Sequence, residues 1–222
     1  MTNKVSAPGQ TPTPITWTIA ARQTPPAVTG SHVGVLALQG DFLEHAIVLR
    51  QLGVSAPEVR KAEALEALDG LIIPGGESTT MAILMDTWGL RDAICRRVRQ
   101  GMAVWGSCAG MILIASSLRE DRPKPLGLMN IRVARNAFGR QVDSFEADLQ
   151  VAALGERPFH AVFIRAPLIL EVGEGVEVLA RLEDGTPVAA RQGKLLATAF
   201  HPELTDDFRF HRYFVDIAKG AR

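Results

Sequence analysis

The sequence predicts an α/β protein with a mainly parallel central sheet that antiparallel strands extend. Three observations carry this. Continuous apolar runs at Val33–Leu38, Gly70–Ile73 and Ala103–Gly106 read as strands buried on both faces, as in a parallel sheet. Each is followed by a glycine-containing turn and then by residues patterned as a helix. From Pro125 to Phe200, short strand-like runs alternate with turn dipeptides.

The first strand gives way at Gln39-Gly40-Asp41 to a helix. Asp41 and Glu44 have capping-box spacing, Phe42, Ala46, Leu49 and Leu52 mark the buried face, and Gly53 marks the stop. A short strand around Pro57-Glu58-Val59 and a short helix around Ala62 to Leu68 follow. The second long strand ends at Pro74. There Gly75 and Gly76 free the backbone to approach a ligand with its N–H groups, and Ser78 or Thr79 is the candidate cap of a helix. That helix carries Met81, Leu84, Met85 and Trp88 on one face. A plain strand-to-helix turn is the alternative reading of the two glycines, and a Walker loop is excluded because no Gly-Lys-Ser/Thr follows.

The next helix has Leu90, Ile94 and Val98 as its stripe, with Arg91, Arg96, Arg97 and Arg99 mainly on the solvated side. Cys95 lies beside the stripe and reads as structural. The third long strand turns at Cys108 into a helix expected to reach about Leu118, and Arg119 to Pro125 is a loop. Strands are expected at Leu126–Ala134, Phe145–Ala152, Phe159–Ile164, Val176–Leu182, Pro187–Ala190 and Leu195–Phe200, with turns at Asp184-Gly185 and Gln192-Gly193. A last helix has Thr205 as its candidate cap, Asp206 and Asp207 at its positive end, and Phe210, Phe214 and Ile217 as its stripe.

Composition narrows the function classes. The 222 residues carry 24 acidic and 24 basic side chains, so no global field selects nucleic acid or a membrane surface. Two cysteines fit a reducing, cytoplasmic compartment rather than a disulfide scaffold, and no apolar run is long enough to span a bilayer. Residues 1–31 stand apart: they hold five of the 13 prolines, seven threonines, no acid, and only Lys4 and Arg22 as bases. They are expected to be a flexible tail, or to precede a translation start further in, leaving residues 32–222 as one domain.

The chemistry centres on Gly106-Ser107-Cys108-Ala109-Gly110. Glycines two residues either side of a nucleophile let a strand turn sharply into a helix, and the helix N-terminus favours thiolate. A cysteine among small residues can equally be an inert core side chain, so the turn by itself leaves both readings open. His201 and Glu203, two apart after the last strand, place a base and an orienting carboxylate on one face of an extended chain. The order, nucleophile first and base last, is the one expected on such a sheet. The N–H of Ala109, with that of Gly75 or Gly76, would form an oxyanion hole in which each donor contributes about 3 kcal/mol. A zinc deaminase also carries His-x-Glu, but its Pro-Cys-x-x-Cys is missing, and no other metal-ligand cluster is visible.

These residues resemble the class I (triad) glutamine amidotransferases. Gly34–Gly40, Pro74–Met81, Arg135–Glu146, Phe163–Pro167 and Phe200–Leu204 are similar, within them, to the glutaminase subunits of pyridoxal 5′-phosphate synthase, and the likeness runs from Val33 to about Ala218. The resemblance implies a three-layer, flavodoxin-like fold and hydrolysis of L-glutamine to glutamate and ammonia through a thioester on Cys108, with His201 and Glu203 completing a triad. It implies glutamine binding by Gly76, Glu77, Ser78, Arg135, Ile164 and Arg165, an oxyanion hole from Gly75, Gly76 and Ala109, and neither metal nor cofactor. It also implies transfer of ammonia to a separate (β/α)8-barrel synthase subunit in a large hetero-oligomer. A glutaminase serving another synthase, such as that for imidazole glycerol phosphate, and a non-catalytic binding protein on the same fold are the alternatives. Ser107 stands where that family often has threonine, which keeps the hydroxyl.

Overall fold

A computed structural model describes residues 30–135 and 144–221 of the chain. Most of the expected N-terminal tail, and most of the family-like stretch Arg135–Glu146, lie outside these residues. Among the described residues, five α-helices and twelve strands follow in chain order: β1 (Val33–Leu36), α1 (Phe42–Gln51), β2 (Glu58–Val59), β3 (Gly70–Ile73), α2 (Ser78–Thr87), α3 (Leu90–Arg99), β4 (Ala103–Ser107), α4 (Ala109–Ile114), β5 (Ala115–Leu118), β6 (Met129–Ala134), β7 (Ser144–Leu149), β8 (Phe159–Ile164), β9 (Leu168–Val172), β10 (Glu177–Arg181), β11 (Pro187–Gln192), β12 (Leu195–Thr198) and α5 (Arg209–Ala218).

Seven strands form the central sheet, in the order β10-β11-β12-β4-β3-β1-β2. From β12 to β2 every pairing is parallel, while β10-β11 and β11-β12 are the antiparallel extension. The apolar runs explain the centre: every residue of β1, β3, β4 and β12 is buried, because helices or loops cover both faces. Trp105, Phe159, Phe163, Phe200, Phe210 and Phe214 are its largest buried side chains. Among the described residues, no helix is long and apolar enough to cross a membrane.

Several local expectations are corrected. The remaining strands do not all join the central sheet: β5-β6-β9 form one small sheet and β7-β8 another. Turn residues report where strands end but not which neighbour they take. Strand β9 was not foreseen, since its Leu-Ile-Leu-Glu-Val run is exposed along three of its five residues. Helix α4 ends at Ile114, and the chain continues as β5, paired with β6. Every α4 residue is buried, so no amphipathic period marks its end. Asp41 makes no side-chain cap bond, and α2 is capped by Glu77 rather than by Ser78 or Thr79. Trp88 follows α2 and is 55% exposed rather than buried with Met81 and Met85. Thr205 is separated from α5 by three residues, and its hydroxyl instead accepts from the N–H of Asp207.

The parallel strands place the site. The segments leaving the carboxyl ends of β1, β3, β4 and β12 carry Gln39–Asp41, Gly75–Glu77, Cys108 and His201 respectively. That edge of an open α/β sheet is where ligands bind, because diverging connections leave a crevice there.

Candidate active site

Cys108 sits at the turn from β4 to α4 with φ 47° and ψ −105°, a conformation that an L-residue holds at a cost of roughly 1–3 kcal/mol. Its N–H donates to the carbonyl of Thr198 at 2.8 Å, which ties the turn to the adjacent β12. The flanking glycines are required by clearance. A Cβ on Gly106 would strike the backbone of Gly110, and one on Gly110 would strike the carbonyl of Ile73 in β3. The thiol is 8% exposed and lies 3.8 Å from the carbonyl oxygen of Ile164, to which it donates.

The Cys108 side chain lies close enough to the His201 ring to favour the ring's charged form. The ring's Nδ1 is 2.7 Å from Glu203 Oε1, which leaves Nε2 as the ring atom for the sulfur. The two-residue spacing does not work through an extended strand as expected. Strand β12 ends at Thr198, and residues 202–204 form a 3₁₀ turn that brings the carboxylate back under the ring. Burial opposes a charge on His201, yet the Cys108 side chain and the hydrogen bond to Glu203 outweigh it and push its pKa up to about 10. Burial pushes the Glu203 carboxyl above its usual range, against the pull of the bonded imidazole. The arrangement therefore holds a protonated imidazole between a sulfur and a buried carboxylate.

The loop after β3 closes the other side. Gly75 packs so tightly on the His201 ring that a Cβ there would overlap it, and Gly76 has φ 148°. Gln39 Oε1 accepts the N–H of Glu77 at 2.7 Å, and the Gly75 carbonyl accepts that of Asp41 at 3.2 Å. Glu77 caps α2 by accepting from the N–H groups of Thr79 and Thr80, at 3.1 and 2.7 Å. Although partial burial opposes it, those bonds hold the Glu77 carboxyl below its ordinary pKa. Arg135 reaches Glu77 Oε1 at 3.1 Å, so its guanidinium stands over the same helix start.

Among the described residues, Asp41, His201 and Glu203 are the one group whose donor atoms cluster at metal-ligand spacing. The bond between His201 and Glu203 occupies the Nδ1 and Oε1 that an ion would need.

A sequence profile described as the SNO glutamine amidotransferase family matches residues 35–219. The chain belongs to the SNO glutamine amidotransferase family. It is 60% identical over 188 residues to "Pyridoxal 5′-phosphate synthase subunit PdxT" of Herpetosiphon aurantiacus, covering 83% of this chain and 99% of that protein. A crystal structure described as a glutamine amidotransferase superposes with a TM-score of 0.80 at 55% identity, over 84% of this chain and 98% of the other. PurLQS from Thermotoga maritima, at 15% identity, shares the fold alone, with a TM-score of 0.64 over 86% of this chain and 99% of that one.

Within this family fold, the residues singled out in the sequence converge as follows. His201 stands between Cys108 and Glu203, with Ile164 at the sulfur and Gly75 at the imidazole. Gly76, Glu77 and the buried Ser78 form the start of α2, joined by Arg135. Arg165 is exposed beside Ile164 and has φ 45°; among the described residues it and Cys108 are the non-glycine residues with positive φ. Ala109 opens α4 directly after the cysteine. Gln39 and Asp41 went unnoticed in the sequence as site residues, Asp41 Oδ2 lying 3.5 Å from His201 Nδ1. Their position directly after a buried parallel strand was the available signal.

Proposed function

We propose that the chain hydrolyses L-glutamine to L-glutamate and ammonia, and that it supplies the ammonia to the synthase subunit of a pyridoxal 5′-phosphate synthase. The observation that carries this is the strained Cys108 beside His201, itself hydrogen-bonded to Glu203, in a chain 60% identical to a PdxT subunit. Cys108 sulfur attacks the side-chain carbonyl carbon of glutamine. The resulting oxyanion is met by the N–H of Ala109 at the start of α4 and by that of Gly75 or Gly76. His201 Nε2 gives its proton to the departing nitrogen, and ammonia leaves a thioester behind. Water then loses a proton to His201 and attacks the thioester, which frees glutamate and restores the thiol.

Glu203 keeps the imidazole in the Nδ1–H tautomer and offsets its charge while it is protonated. Arg135 and Arg165 are the groups for the substrate α-carboxylate, since a guanidinium binds a carboxylate in two-point fashion. Gly76, Glu77, Ser78 and the Ile164 backbone would line the rest of the glutamine site. The partner is a (β/α)8-barrel subunit in a large hetero-oligomer. The two unpaired cysteines support a cytoplasmic setting.

The test is glutamate release measured with and without that synthase subunit. Stimulation by the partner, abolished by Cys108→Ala with cooperative unfolding retained, is the expected result. Turnover by Cys108→Ala would overturn the nucleophile, and lack of stimulation at saturating partner would overturn the assignment to pyridoxal phosphate synthesis.

A further inference from the structure

On the side of Glu203 away from Cys108 lies a buried pair of imidazoles that the triad does not use. His45 of α1 and His211 of α5 are both fully buried. Both stand edge-on to the Trp105 ring, at 5.4 and 4.9 Å between centroids. His45 Nε2 is 3.2 Å from Glu203 Oε2 and 3.1 Å from Ser107 Oγ, and His45 Nδ1 is 3.0 Å from His211 Nε2. Glu203 Oε2 and His211 Nδ1 make no well-aligned hydrogen bond.

Burial keeps both rings neutral. It holds His45 well below its ordinary pKa, helped by repulsion from His211 and His201, and it pushes His211 down to about 3. A neutral imidazole has one N–H, so the pair can be wired in two ways. If His45 Nδ1–H donates to His211 Nε2, the His45 Nε2 lone pair faces the Glu203 anion. Ser107 could satisfy that lone pair, but His211 would then bury an Nδ1–H with no acceptor. If His211 Nε2–H donates to His45 Nδ1, His45 turns its Nε2–H to Ser107 Oγ with the Glu203 Oε2 charge 3.2 Å from the same nitrogen, and the group left over on His211 is only a lone pair. An unmade donor beside a buried anion is the costlier defect, so the second wiring is favoured.

We propose that His45, held by His211 in its Nε2–H form, is a positioning residue that fixes the Glu203 carboxylate so that Oε1 stays on His201. The inference rests on the triad reading of Cys108, His201 and Glu203. The 3₁₀ turn that carries Glu203 is short, and without a donor on Oε2 its carboxylate can rotate away from the imidazole. His45 touches neither substrate nor sulfur, so its effect falls on turnover rather than on glutamine binding.

The experiment has two arms on the full-length chain. Ring nitrogen NMR of the wild-type protein is expected to show His45 and His211 both as Nε2–H tautomers that do not titrate between about pH 6 and 8; an Nδ1–H form of His45 would overturn the proposal. In glutamate release with the synthase subunit, His45→Leu is expected to lower kcat about tenfold to a hundredfold with KM unchanged and a displaced pH profile. His45→Gln, whose amide N–H can reach Glu203, should recover most of that loss. Wild-type kcat and pH profile in His45→Leu, or equal losses in both variants with equal unfolding midpoints, would overturn it. Should His45→Leu fail to fold, the wild-type tautomer decides. A wild-type chain that releases no glutamate would refute the proposed function and leave the tautomer result standing.

Discussion

Replacing Gly110 with alanine separates the turn geometry from the mere presence of a cysteine. The added Cβ would lie 2.8 Å from the Ile73 carbonyl carbon and nearer still to its oxygen, where ordinary contact begins at 3.4 Å. Neither atom can yield cheaply, because Ile73 is buried in β3 and paired along β4. Helix α4 must therefore move off the sheet by about 1 Å, and overpacking of this kind costs roughly 1–3 kcal/mol. In a domain of this size each kcal/mol lowers Tm by about 2–4 °C. A fall of several degrees in a thermal melt is expected. The same displacement moves Cys108 relative to His201, and misplacing a reacting atom by about 1 Å costs on the order of a hundredfold in rate. Steady-state glutamate release in the presence of the synthase subunit should thus show kcat reduced by about that factor, with a smaller change in KM. Wild-type kcat together with a wild-type Tm would refute the reasoning, since it would mean that α4 has room the structure denies it.

Two further outcomes follow from the electrostatics. His201 has its pKa raised to about 10 in the folded chain against an ordinary 6.5. The folded state therefore binds more protons between those values: the stabilisation is complete below pH 6.5 and drains away as pH rises through 10. Urea unfolding across that range should show it, and Cys108→Ala, which removes one of the two side chains that favour the charged imidazole, should flatten the slope; an unchanged slope would refute the coupling. Glu77→Ala removes the side-chain acceptor for the N–H groups of Thr79 and Thr80 and the partner of Arg135. A loss of about 1 kcal/mol in chemical denaturation and a raised KM for glutamine are expected, and an unaltered KM would separate Glu77 from the substrate site.

The strands at the centre of the sheet were legible because burial on both faces leaves a continuous apolar run, as at β1, β3 and β4. The turn at Cys108 was legible because glycines stand two residues either side of it; the clearance that requires them is local at Gly106, whereas at Gly110 it is set by the carbonyl of Ile73 in β3. His201 and Glu203 were recognisable as a pair, but the way they meet was not. Their contact comes from a 3₁₀ turn, whereas the spacing alone suggested an extended strand.

Local commitments are written into the residues themselves: which runs are buried, where the chain turns, and which reactive side chain stands at a turn. Which β-runs share a sheet, why α4 stops at Ile114, and which polar groups gather around Glu203 depend on packing between elements. Distance along the chain separates the two. His45, Ser107, His201 and His211 meet through contacts between elements far apart in sequence, and no local pattern encodes such partners. His45 is buried on α1, and nothing in its local pattern points to Glu203, 3.2 Å away.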